Sequence, residues 1–170
     1  MASCVRWLSC GLLLTGLLGC GGDGRPRLIP VSGTVTLDGN PLEGAIVGFQ
    51  PIADAKEKFQ RPPGGITDAA GKFVLGTYDK TDGAPVGKYK VVIQKREITS
   101  KLPDDFNSEM ASQTNINYKW VTPKSLSDPA TTNLTAEITT SGLEPSTFAL
   151  TGIQPPEVER TGPQVQLNGP

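Results

Sequence analysis

The sequence predicts an all-β chain, a small Greek-key β-sandwich of about seven antiparallel strands. Three observations carry the prediction. Apolar side chains recur at every second position in short segments spread between residues 30 and 152, the pattern of half-buried strands. Gly, Pro, Asn and Asp cluster between those segments, and the 170 residues include 20 Gly and 15 Pro, a composition that suits tight turns better than long helices. A helical pattern is confined to 103–113, where Pro103 would sit in the first turn and Asp104 and Asp105 at the favourable N-terminal end of one short helix.

The strands follow in order. In 31–37, Val31, Gly33, Val35 and Leu37 share one face, and Ser32, Thr34 and Thr36 the other. Asp38-Gly39-Asn40-Pro41 then reads as a turn in which Gly39 takes a positive φ. Ala45, Val47 and Phe49 share a face in 44–50, and Pro51 ends that strand. Residues 53–65 are polar and irregular. Asp68 to Gly71 forms a tight turn, with the Asp68 carboxylate accepting backbone N–H bonds and Gly71 in a left-handed conformation. Phe73, Leu75 and Thr77 line the next strand. A turn over 79–87 leads to 87–96, where Tyr89, Val91 and Ile93 face inward and Lys88, Lys90 and Gln94 outward. Leu134, Ala136 and Ile138 repeat the alternation, as do Phe148 and Leu150. Gly33 and Gly48, inside strands, mark bulges or close backbone approach. The 37 residues 97–133 read as one long loop, far beyond the usual length of about 4–6. Within it, Tyr118 and Trp120 either pin the loop to the sandwich or offer an exposed aromatic contact to a partner.

The ends read differently. Residues 7–18 are apolar and uncharged behind Arg6, too short for a bilayer core that needs about 20 residues but right for a secretory signal. Gly16 and Gly19 supply small residues for cleavage. Residues 20–29 read as a Gly-rich flexible tether, and 153–170, with Pro155, Pro156, Pro163 and Pro170, as a flexible tail.

Composition removes several chemistries. Sixteen basic and 17 acidic residues give a net charge of -1, too balanced for electrostatic nucleic-acid binding. The absence of histidine excludes His-based triads and His metal sites. Cys4 and Cys10 lie in the segment to be removed, leaving Cys20 alone, so neither zinc nor an internal disulfide is expected. There is no phosphate loop and no G-x-S-x-G elbow. Asp104, Asp105 and Glu109 are candidate paired carboxylates, and Asp79 to Gly83 a candidate calcium loop. Each reads better as a solvated turn, because a cleft and the alternating ligand pattern are missing. Lys88, Lys90, Lys95 and Arg96 read as a solvated outer face.

Two resemblances sharpen this picture. Leu17-Leu18-Gly19-Cys20 resembles the lipobox of bacterial lipoproteins, which implies cleavage between Gly19 and Cys20 and a diacylglycerol thioether on Cys20. The body resembles carboxypeptidase regulatory-like, or transthyretin-like, domains over residues 30–152. The matching motifs are Val31-x-Gly33-x-Val35 through Asp38-Gly39-x-Pro41-Leu42 to Phe49, then Thr67-Asp68-x-x-Gly71-x-Phe73, Pro85-x-Gly87-x-Tyr89-x-Val91-x-Ile93, and Ser127-Asp128-Pro129 to Ile138. Leu126 departs from that pattern, standing where an aromatic residue would be expected. The resemblances imply an exported, non-enzymatic envelope lipoprotein without metal or cofactor. Its partners would be membrane lipid, through acylated Cys20, and an envelope protein or polymer, but not nucleic acid. The alternative is a carbohydrate-binding module that uses Tyr118 and Trp120.

Overall fold

A computed structural model describes residues 25–52, 61–107, 109–110, 114–152 and 157–162. Alternation of buried and open positions produces its principal sheet. In β4 (Ile46–Pro51) and β8 (Gly87–Gln94), Val47, Phe49, Tyr89, Val91 and Ile93 are fully or almost fully buried. The intervening residues of β8 stay at least partly accessible. Antiparallel pairing in the order β12 (Gly142–Glu144), β11 (Thr135–Thr139), β8, β4, β5 (Gly64–Ile66) completes this five-stranded sheet.

The second sheet is built on β2 (Ser32–Leu37), which pairs with β3 (Asn40–Pro41) and β6 (Lys72–Val74) antiparallel and with β13 (Thr147–Leu150) in parallel. The parallel pair corrects the expectation of a wholly antiparallel sandwich. Its cause is connectivity: β12 belongs to the first sheet and β13 to the second, so the chain crosses between layers before it returns beside β2. On the other side, Gly64 and Gly76 exchange backbone hydrogen bonds of 3.0 and 2.9 Å and join the two layers.

Phe49 centres the core. Its ring lies 5.8 Å from that of Tyr89, 6.2 Å from Phe73 and 6.2 Å from Phe148, so both sheets contribute to one aromatic cluster. The Tyr89 hydroxyl is satisfied by donating to the Pro85 carbonyl at 2.7 Å. Neighbouring strands of the second sheet approach closely at Gly33, where a Cβ would come 2.5 Å from Cζ of Phe73 and 2.8 Å from the Ser146 carbonyl oxygen. At Gly48 the neighbour is Cγ2 of Val92, at 2.8 Å. Asp38 and Gly39 both have positive φ, 50° and 82°, and turn β2 into β3. Gly71 has φ 71°, and Asp68 Oδ1 accepts the N–H groups of Ala70 and Lys72 at 2.9 Å each.

Four sequence expectations change. Residues 97–133 are not one loop. They begin inside β9 (Arg96–Ile98) and contain β10 (Ile116–Trp120) and a 3-10 turn, Lys124–Ser127. At the start of 103–113 a simple turn replaces the helix, with Phe106 N–H donating to the Pro103 carbonyl at 3.1 Å. The tether ends earlier than expected, because Leu28–Ile29 forms β1 against Ala84–Pro85, strand β7. The tail supplies β14 (Val158–Thr161), antiparallel to β10. Residues 1–24, with Gly19 and Cys20, lie outside the described residues.

Candidate functional site

The residues singled out as an aromatic contact belong to β10, the middle strand of a third sheet ordered β14-β10-β9. Strand alternation turns Ile116, Tyr118 and Trp120 to one side and Asn117 and Lys119 to the other. Ile116 and Trp120 are buried, and Tyr118 is half-buried. Trp120 is only 4% exposed, so it offers no open ring to a ligand. Of the two readings the sequence left open, this burial fits side chains that pin the segment down and not an exposed Tyr118–Trp120 contact of the kind glycan stacking needs.

Charged groups from three segments converge on these rings. Trp120 faces Arg96 across the β9–β10 pair, and Tyr118 faces Glu159 across the β10–β14 pair. The Arg96 guanidinium lies 4.3 Å from the Tyr118 ring centre and 5.9 Å from that of Trp120, a cation–π geometry. The indole N–H of Trp120 donates to Glu159 Oε2 at 3.0 Å. Lys124 Nζ reaches the same oxygen at 3.0 Å and Glu157 Oε1 at 3.7 Å. These contacts hold the Glu159 carboxyl below its ordinary range, through the Lys124 hydrogen bond first and the Trp120 hydrogen bond second. Lys124 is raised, chiefly by its hydrogen bond to Glu159. The cluster thereby clasps β14 onto β10 through Lys124 and Trp120.

Arg96 was visible in the sequence only as part of a basic stretch. Lys124, Glu157 and Glu159 were missed. The i, i+2 spacing of the two glutamates was the one available signal, since it puts both on one face of a strand.

The candidate calcium loop is also occupied by its own backbone. Asp82 Oδ1 accepts the Thr77 N–H at 2.7 Å, and Oδ2 accepts those of Tyr78 and Asp79 at 3.0 Å each. The Thr77 hydrogen bond leads the causes that lower the Asp82 pKa. Among the described residues, no group of three or more His, Cys, Asp or Glu is placed to hold a metal ion. Asp104, Asp105 and Glu109 are all exposed.

The described surface also carries two open grooves. One, of about 420 Å³, runs between Leu126 and Leu134 and strand β13 and has no titratable lining residue. The other, of about 340 Å³, is lined by Ile52, Lys88, Glu137, Glu144 and Pro145, among others. Comparison of the chain with protein families, with curated proteins and with solved structures finds none that matches it.

Proposed function

We propose that this protein is an exported bacterial lipoprotein, held to a membrane through acylated Cys20, whose transthyretin-like sandwich serves structural or protein-interaction roles at the cell envelope without catalysis. The observation that carries the reading is the run Leu17-Leu18-Gly19-Cys20, placed directly after an uncharged segment of signal-peptide length. Two acyl chains at about 0.8 kcal/mol per buried CH₂ suffice for stable anchoring. The β-sandwich supports the reading as a rigid scaffold. So do the candidate carboxylates, which are either solvated, as at Asp104 and Asp105, or bonded to backbone, as at Asp82.

The test is metabolic labelling with a radioactive fatty acid in cells that produce the full chain. Label should appear in the wild type and vanish in Cys20→Ser, which should leave the membrane fraction. A Cys20→Ser protein that still partitions with membranes would overturn the anchor. Crosslinking in intact cells should capture a discrete envelope partner, and silence there would count against an interaction role.

A further inference from the structure

We propose that the end of the sandwich at which the chain enters, around Arg27, Ile52 and Val86, rests directly on the lipid surface, so that the β14-β10-β9 sheet is presented away from the membrane. The proposal rests on the lipoprotein reading and adds an orientation to it.

The length of the connection is the first argument. Five residues lead from Cys20 to Arg25, and a chain covers at most about 3.6 Å per residue, so Arg25 can stand no more than about 18 Å from the acylated cysteine. Three residues later the chain is committed to the fold. Leu28 pairs with Pro85 and Ile29 with Ala84, and the backbone of Gly83 packs so tightly on the Ile29 carbonyl that no side chain fits between them. A sandwich joined this closely cannot turn its far end to the bilayer without lifting its near end beyond reach.

The surface of the near end is the second argument. One residue beyond the β1–β7 pairing, Arg27 comes beside Val86, which is 49% exposed. Ile52 is 50% exposed, and its N–H donates to the Lys88 carbonyl at 2.9 Å, so it lies at the same end. Tyr78, half-buried beneath the Arg25 guanidinium at 4.6 Å, adds an aromatic ring there. Apolar side chains with a polar-tipped ring and long basic chains suit the boundary between headgroups and acyl chains. Among the described residues, the acidic groups of this end are Asp79, Asp82, Glu137 and Glu144. Asp82 is turned to the backbone N–H groups of residues 77–79, and Glu137 stands opposite Lys88 in the β8–β11 pairing. Asp79 and Glu144 are exposed, so the contact joins the apolar side chains of Ile52 and Val86 to a mixed charged rim, with exposed Arg27 placed for a lipid phosphate.

The strand axis supplies the consequence. β8 runs from Lys88 at the near end to Gln94, six residues or about 20 Å away, and Arg96 then opens β9. The latch around Trp120 consequently belongs to the membrane-distal end.

Spin labelling tests this on the acylated full-length protein in phosphatidylethanolamine–phosphatidylglycerol vesicles. Acylation leaves no free thiol in the mature chain, so a cysteine introduced as Val86→Cys or Ile66→Cys takes the nitroxide alone. Ile66 is 66% exposed and sits across β4 from the Gln94 end of β8. Collision of the label at 86 with a water-soluble nickel chelate should fall several-fold on reconstitution, while collision with oxygen rises; the label at 66 should not change. Ile52→Cys and Ile98→Cys form a second near and far pair, should one substitution disturb folding. Protein that floats with the vesicles but keeps both near labels as accessible as the far ones overturns the docking and leaves the anchor standing. Protection of the far labels overturns the orientation. Failure of the wild type to float, with Cys20→Ser behaving identically, removes the anchor and the docking with it.

Discussion

Gly71→Ala and Gly39→Ala together separate two costs that a left-handed glycine can carry. Both residues have positive φ, 71° and 82°, and a non-glycine residue in that region costs about 1–2 kcal/mol. Their surroundings differ. A Cβ on Gly39 would meet nothing within 4 Å. A Cβ on Gly71 would press into the Val35 carbonyl oxygen, with Leu42 N at 3.1 Å and Pro41 Cα at 3.2 Å. Those atoms are held: Leu42 N–H donates to the Val35 carbonyl at 3.1 Å, and Val35 N–H to the Gly71 carbonyl at 2.8 Å. Relief of the overlap must shift backbone in the second sheet, at about 1–3 kcal/mol beyond the dihedral cost. Gly39→Ala should therefore lose about 1 kcal/mol and Gly71→Ala about 3, or about 3 °C and 10 °C in Tm for a domain of this size. Urea titration followed by far-UV circular dichroism measures both. A companion pair sharpens the contrast, since asparagine tolerates the left-handed region: Gly39→Asn should be nearly neutral, and Gly71→Asn as costly as the alanine variant. Equal losses at the two positions would refute the packing argument and leave only the dihedral term.

Other outcomes follow from the same structure. Phe49→Ala, which removes the ring common to three aromatic contacts, should cost about 3–5 kcal/mol, read as a lowered urea midpoint. The Glu159 carboxyl is held below its ordinary range, so its contribution to seating β14 is present above the ordinary carboxylate range and lost as pH falls through the lowered value. Lys124 is raised, so its part is complete below the ordinary lysine range and lost only above it. Trp120 emission should thus hold steady between those limits and shift to the red in acid, and Glu159→Gln should remove the carboxylate component of that transition. Asp82→Ala should speed hydrogen exchange at the amides of Thr77, Tyr78 and Asp79, while a calcium chelator should leave the melting curve unchanged.

How much of this was legible in the sequence follows from which interactions are local. The Asp68–Gly71 turn was readable because its carboxylate and its left-handed residue act within five positions. The inward set of β4 and β8 was readable because two sides of one sheet repeat every second residue. Ile116–Trp120 also alternates, yet it reads as part of a loop. Neither Gly nor Pro bounds it on its N-terminal side after Pro103, and its partners are short strands of mostly polar residues: Arg96–Ile98 and Val158–Thr161. Val158–Thr161 reads as tail until β10 is beside it. The parallel course of β13 was invisible for another reason, because side-chain period is the same in either direction. At Trp120 the sequence shows an indole but not its setting, since Arg96, Lys124 and Glu159 are brought there by tertiary pairing alone.

The same division predicts how the protein comes apart. The principal core draws on both large sheets and on Leu126, but on no residue of β9, β10 or β14. Ile116 and Trp120 are buried in a separate satellite beside it. The satellite's closure depends on β14 and the residue before it: Glu159 accepts the indole N–H, and the Glu157 carbonyl accepts the Trp120 backbone N–H at 2.8 Å. Units with few apolar contacts to the rest open below the global unfolding energy. A chain ending at residue 152 should therefore keep its far-UV signature and nearly its full urea midpoint, while Trp120 emission moves to the red and amide exchange accelerates across β9 and β10. The 3-10 turn should resist, because Thr122 Oγ1 accepts the Lys95 N–H at 3.0 Å and Leu126 sits in the principal core. Loss of the whole fold on that truncation would mean that the three-stranded sheet is part of the folding unit, and the two-level stability argued from the packing would be wrong.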